Sequence, residues 1–168
     1  MATTVLRLPE PEAVLRTAPH NIEAEQALLG AILVNNEAYD RVSDFLTPDH
    51  FSEELHRRVY DVMMQLIKAG KIATPVTLKT FLGDHDLGGI TLPQYLARLA
   101  AEATTVINAH DYGRTIYDLA VRRHLINIGE DIVNTAYDAP VDAAPRTQIE
   151  EAERRLYEIA EQGKYDGG

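Results

Sequence analysis

The most constraining feature of this chain is its longest helical periodicity, running from Asn108 to Tyr137. At 1.5 Å per residue a straight helix of that length would span about 45 Å. A head built from the preceding hundred or so residues cannot cover it, so the segment must bend into a hairpin or protrude. Its first part carries a single apolar stripe, Tyr112, Ile116 and Leu119. Its second part carries two, one of Leu125, Ile128 and Ile132 and the other of Ile126, Val133 and Tyr137. Read as two arms of a hairpin over residues 106–138, the return arm has two faces to cover and only one arm to cover them. The economical second cover is another copy of the chain, giving a twofold dimer through those six residues.

A second unpartnered element follows. Residues 139–147 hold two prolines and predict a linker. Thr147 and Glu150 have capping-box spacing, which predicts a helix over 148–163 stopped at Gly163. Ala152, Leu156, Ile159 and Ala160 give that helix an apolar stripe with nothing of its own to pack on.

The remainder predicts an all-α head over residues 19–105, behind a flexible arm at 1–18. Asn21 caps a first helix bearing Leu28, Leu29, Ile32 and Leu33, with Glu23 and Glu25 at its positive dipole end. Asn36 opens a second helix through Leu46. A third carries Leu55, Val59, Met63 and Leu66 up to Gly70, Thr74-Pro75 starts a fourth, and Thr91 with Gln94 boxes a fifth. The expected fold class is therefore all-α: a compact helical head, an extended helical hairpin and a separate linker helix.

Composition narrows the function. The formal net charge is −10, which opposes a broad grip on a phosphate backbone. There is no Cys, hence no disulfide, thiolate metal site or Cys nucleophile. The longest apolar run, Ala27 to Val34, is too short to span a membrane. No phosphate-binding loop occurs, because Gly70-Lys71 lacks both the upstream Gly and the following hydroxyl. Glu53 and His56 have metal-like spacing, but a bundle metal site needs several further ligands, so His56 reads as packed or capping. Asp84-His85-Asp86 reads as a solvated loop. The arginine pairs 57/58, 122/123 and 154/155 read as surface ion pairing. No catalytic or metal-binding residue and no cofactor is expected in this stretch of chain.

An ordered set of motifs resembles the bacterial replicative DNA helicases of the DnaB type. Pro19-His-Asn-Ile-Glu-Ala-Glu-Gln-Ala-Leu-Leu-Gly30 resembles their opening helix, and Leu46-Thr-Pro-Asp-His-Phe51 with His56 resembles their L-x-P-x-x-F-x-x-x-x-H. Pro75-Val-Thr-Leu78 is similar to their P-V-D-x-V-T-L step with the middle shortened. Gly88-Gly89 with Tyr95-Leu96 and Leu99 is similar to G-G-x-x-Y-L-x-x-L with two extra residues, and Glu151 to Glu161 is similar to their linker helix.

The resemblance implies an amino-terminal collar domain of a hexameric helicase that unwinds DNA 5′ to 3′ at the fork. It implies that the ATP- and Mg-dependent motor lies outside this chain. It implies self-association as a trimer of dimers, docking of the primase carboxy-terminal domain, a helicase loader, single-stranded DNA held by the motor, and a cytoplasmic place at the bacterial replisome with no membrane contact. By position Glu23, Tyr95, Ile126 and Ile132 match primase-docking residues, although Tyr95, Ile126 and Ile132 equally fit core or dimer packing. The linker helix would bind a neighbouring motor through Ile149, Ala152, Leu156 and Ile159. The alternative reading is a stand-alone all-helical DNA-binding or protein-interaction module.

Overall fold

The computed structural model describes residues 16–84, 86–103 and 108–163. Most of the expected amino-terminal arm and His85 lie outside them. Six α-helices carry the fold: α1 Ile22–Val34, α2 Glu54–Lys68, α3 Pro75–Leu82, α4 Leu92–Glu102, α5 Ala109–Asp138 and α6 Pro145–Gly163. No β-strand is present among the described residues, so the all-α expectation is borne out.

α1 is the centre of the head. Leu28, Leu29 and Ile32 are fully buried, because this helix is apolar on most sides and packs against α2, α4 and α5. Asn21 caps it by accepting from the Ala24 amide at 3.0 Å. Around it the core gathers Val59, Tyr60 and Met63 of α2, Leu78 of α3, Leu92 and Leu96 of α4, and Ile116 of α5. Gly30 lets α1 and α4 touch, since a Cβ there would lie 2.3 Å from the Leu99 carbonyl oxygen. The predicted caps Thr74-Pro75 and Thr91/Gln94 both close as boxes. The helix expected from Asn36 to Leu46 is instead a 3-10 turn, Asn36–Arg41, capped by Asn35. The Asn36 side chain is taken up by bonds to the Ile32 and Ala73 carbonyls and the Ala73 amide, tying that turn to the start of α3.

The larger difference concerns the hairpin. The two arms expected within 106–138 are one unbroken helix, α5, of 30 residues. The return limb is α6, the segment expected to stand apart as a linker helix, which packs back on α5. Arg155 pairs with Asp131 at 2.9 Å, and Gln148 donates to the Ile132 carbonyl at 2.7 Å. The stripe on α5 shifts along its length because its neighbours change from head to α6, with no break in the backbone. The start of α6 differs for a related reason. Pro145 occupies the first helical turn, where a missing amide hydrogen costs nothing, so the helix begins before Thr147 and the Thr147 amide bonds the Ala144 carbonyl at 3.1 Å.

Candidate interaction surfaces

The hairpin is fastened to the head at its root. Ala109, Gly113, Ile116 and Tyr117 of α5 are buried there. Gly113 is required by the approach, since a Cβ would lie 2.4 Å from Val42 Cγ1. The Tyr117 ring meets Phe45 and His50 edge-on, and the Arg114 guanidinium lies 5.2 Å from its centroid. Arg123 donates to the Pro19 and His50 carbonyls at 2.8 and 2.7 Å, fixing the helix to both the entry of α1 and the 47–50 turn. Arg57 similarly donates to the Phe51 and Ser52 carbonyls. Arg57 and Arg123 are therefore carbonyl clamps and not the surface ion pairs their spacing suggested. Arg154 is paired as expected, with Glu151 and Glu158.

Beyond Arg123 the hairpin leaves the head with apolar side chains uncovered. Ile128 is 1% exposed, so it is buried within its own chain and offers nothing to another copy. Leu125, Ile126, Ile132, Val133 and Tyr137 are all exposed, Tyr137 to 86%. On α6, Ala152 and Ile159 are half-buried, whereas Ile149 and Leu156 are exposed. Helical geometry sorts these into two faces. Residues seven apart return to nearly one azimuth, so Leu125 and Ile132 form one row and Ile149 and Leu156 another. Each row lies to one side of the α5–α6 contact line in the same rotational sense, which in antiparallel helices brings both rows to one side of the hairpin, with Ile132 at its inner edge. Ile126, Val133 and Tyr137 lie on the far side of α5 from α6, with Gly129 among them. A Cβ at Gly129 would meet nothing within 4 Å.

The head contributes a buried polar cluster. Glu25 and His56 are both 2% exposed. The Glu25 carboxylate accepts from the Ser52 amide and hydroxyl and sits 2.9 Å from His56 Nδ1. His56 Nε2 lies 2.8 Å from the Tyr95 hydroxyl, which also accepts from Gln26 at 3.1 Å. A carboxylate only accepts, so Nδ1 carries the proton facing Glu25. Every partner is then satisfied if Tyr95 O–H donates to Nε2. Burial pushes the Glu25 carboxyl up, but the bonds from His56 and Ser52 outweigh it and hold it below the ordinary carboxylate range. Burial pushes the Tyr95 phenol up and keeps its proton in place.

Of the positions matched to primase docking, Glu23 is exposed at the start of α1 and Tyr95 is half-buried with its hydroxyl in this cluster. Ile126 and Ile132 lie on the distal half of α5, about 120° apart in azimuth. The four positions thus fall on the head and on two sides of the hairpin. Sequence reading treated Glu25 as a dipole residue and His56 as packed or capping, and it missed their pairing. Among the described residues no group of His, Asp and Glu is arranged to hold a metal ion. No helix among the described residues is long and apolar enough to cross a membrane.

Residues 17–118 match the DnaB-like helicase N terminal domain family. The chain is 46% identical over 155 residues to the replicative DNA helicase DnaB of Rickettsia typhi, covering 90% of this chain and 31% of that protein. It is similar to the crystal structure of the N-terminal domain of DnaB helicase from Mycobacterium tuberculosis, with TM-score 0.75 and 27% identity over 84% of this chain and 99% of that one. It also resembles the structure of a DnaB-like replicative helicase and its interactions with primase, with TM-score 0.66 and 29% identity over 85% of this chain and 32% of that one. The chain thus spans about a third of the length of the curated relative it matches. With a helical head, a clamped hairpin and these matches in agreement, the chain belongs to the DnaB-like helicase N-terminal domain family.

Proposed function

We propose that this domain is the non-catalytic assembly and docking part of a hexameric, ATP-driven replicative DNA helicase acting at the replication fork in the bacterial cytoplasm. The observation that carries the reading is the hairpin, clamped to the head by Arg123 yet exposing apolar side chains along both outer faces. Exposed apolar rows of this length mark a surface meant for another protein. A second copy supplies a self-complementary match, and three such dimers close a ring. Ile149 and Leu156 extend the face begun by Leu125 and Ile132. In this arrangement Ile149 and Leu156 contact a neighbouring hairpin in place of the neighbouring motor expected of a linker helix, with Ala152 and Ile159 holding α6 to α5.

The motor, with ATP, Mg and the single-stranded DNA path, belongs to the remaining length of the parent. The domain contributes geometry: pairing sets the collar, and the collar sets subunit spacing in the motor ring. Primase docking through its carboxy-terminal domain uses Glu23 and the Tyr95 surface on the head, while Ile126 and Ile132, on two sides of the hairpin, belong to the rows that self-association covers. The loader is a further partner of the assembled helicase.

The test is a calorimetric titration of this chain with the primase carboxy-terminal domain, alongside ring assembly of the intact helicase. Glu23→Arg, on the head and outside the hairpin rows, is expected to weaken primase binding by about tenfold or more, the scale of reversing a charge at a contact. Leu156→Asp is expected to break ring assembly by placing a charge in an apolar contact. Unchanged primase affinity together with intact rings would overturn the reading.

A further inference from the structure

The head carries a second uncovered apolar site, away from the hairpin, where α2 meets α3. Val62, Leu66 and Ala69 floor a groove of about 190 Å3 walled by Phe81 and Lys71. That volume admits one large apolar side chain. Phe81, one of only three phenylalanines in the chain, is 60% exposed at its edge.

The charge around this groove departs from the rest of the molecule. The chain has 26 acidic residues against 16 basic, yet between Asp61 and Asp84, which flank the groove, residues 62–83 contain no Asp or Glu. The same window holds Lys68, Lys71 and Lys79, three of the four lysines in the sequence. Lys79 has Asp84 at 3.8 Å. Lys68 and Lys71 are exposed and form no ion pair among the described residues. Lysines serving solubility alone would be spread over the surface, with acidic residues interspersed. Here Lys71 lines the apolar slot beside Gln65, whose amide is held by Asp61, and Lys68 stands on the same turn of α2.

We propose that this groove binds an acidic amphipathic helix of another protein. One large apolar side chain of the helix fills the slot against Phe81, Leu66 and Val62, and its carboxylates meet Lys68 and Lys71. An amphipathic helix presents an apolar anchor and a charged flank together, the pairing this surface complements. A nucleic acid offers charge without an apolar anchor, and two lysines in a chain of net charge −10 give a phosphate backbone little hold.

The probe is a fluorescent synthetic helix of about 18 residues with Leu at i, i+3, i+4 and i+7 and Glu on its other positions. Two control peptides replace every Glu by Lys or every Leu by Ser. Anisotropy and backbone amide shifts are recorded on the 168-residue chain. The Glu/Leu peptide is expected to bind saturably and to move signals between Val62 and Phe81. Both controls should bind at least about tenfold more weakly, as should Phe81→Ala and the Lys68→Glu/Lys71→Glu double variant. These side chains are exposed, so an unchanged melting temperature will show that the variants are folded. Four results would each overturn the proposal. They are no saturable binding, equal binding of the Lys peptide, shifts confined to the hairpin, or displacement of the peptide by duplex DNA. Self-association of the chain lost in Phe81→Ala would instead give the groove to a second copy, and would likewise overturn it.

Discussion

Glu25 is the one fully buried carboxylate among the described residues, and it is held by groups from three parts of the head. Ser52 comes from the turn before α2, His56 from α2, and Tyr95 from α4 by way of the imidazole. Removing one member of such a cluster strands the others without solvent to replace the lost bonds. His56→Ala should therefore cost about 3 kcal/mol in urea unfolding, within the range for breaking a buried charged hydrogen-bond pair. The pH dependence has a definite sign. A carboxyl lowered in the folded state stabilises fully above its unfolded value, ordinarily 4.5, and loses that contribution as pH falls toward the lower folded value. Native stability should thus decline on acidification below about 4.5, and Glu25→Gln should be less stable at neutral pH with a shallower acid decline. An unchanged acid slope in that variant would show that another group carries the effect. None of this was visible in the local sequence. Glu25 and His56 are 31 residues apart, and each has an ordinary local reading, as a first-turn acid and as a helix residue.

Helix starts were legible where the capping residue acts on its own turn, as at Asn21, Thr74 and Thr91. They were misread where a tertiary bond competes for the side chain, as at Asn36, or where Pro145 takes the first turn ahead of Thr147. The same distinction decides what glycine does in a helix. In isolation Gly→Ala stabilises a helix by about 1 kcal/mol. At Gly30 the added methyl would sit 2.3 Å from backbone at Leu99, which cannot yield without separating α1 from α4. Gly30→Ala should therefore be destabilising by about 1–3 kcal/mol despite the gain in propensity. Gly129 has open space around it, so Gly129→Ala should raise the melting temperature of the monomer. Thermal unfolding of the two variants side by side checks the argument, and the same sign for both would refute it.

At the level of the whole molecule, the sequence revealed that α5 outruns its head and that its distal half has more apolar face than one neighbour can cover. It did not reveal which segment is that neighbour, because an apolar stripe on α6 reads the same whether it meets α5 or another subunit. Only the pairing of Arg155 with Asp131 and of Gln148 with the Ile132 carbonyl separates the two. With α6 in place, Ile126, Val133 and Tyr137 remain bare on the opposite side, and Leu125, Ile132, Ile149 and Leu156 remain bare on one flank. If copies of the chain cover these rows, association is driven by apolar burial and should persist in high salt, where surface ion pairs are screened. The net charge of −10 makes the same point from the other side, since two such chains repel and added salt should tighten the dimer. Val133→Arg places a cation in the middle of the far row without touching the head. Sedimentation equilibrium should show dimer for the native chain and monomer for Val133→Arg, with both equally helical. A native chain that stays monomeric at high concentration and high salt would leave these rows without the partner assigned to them.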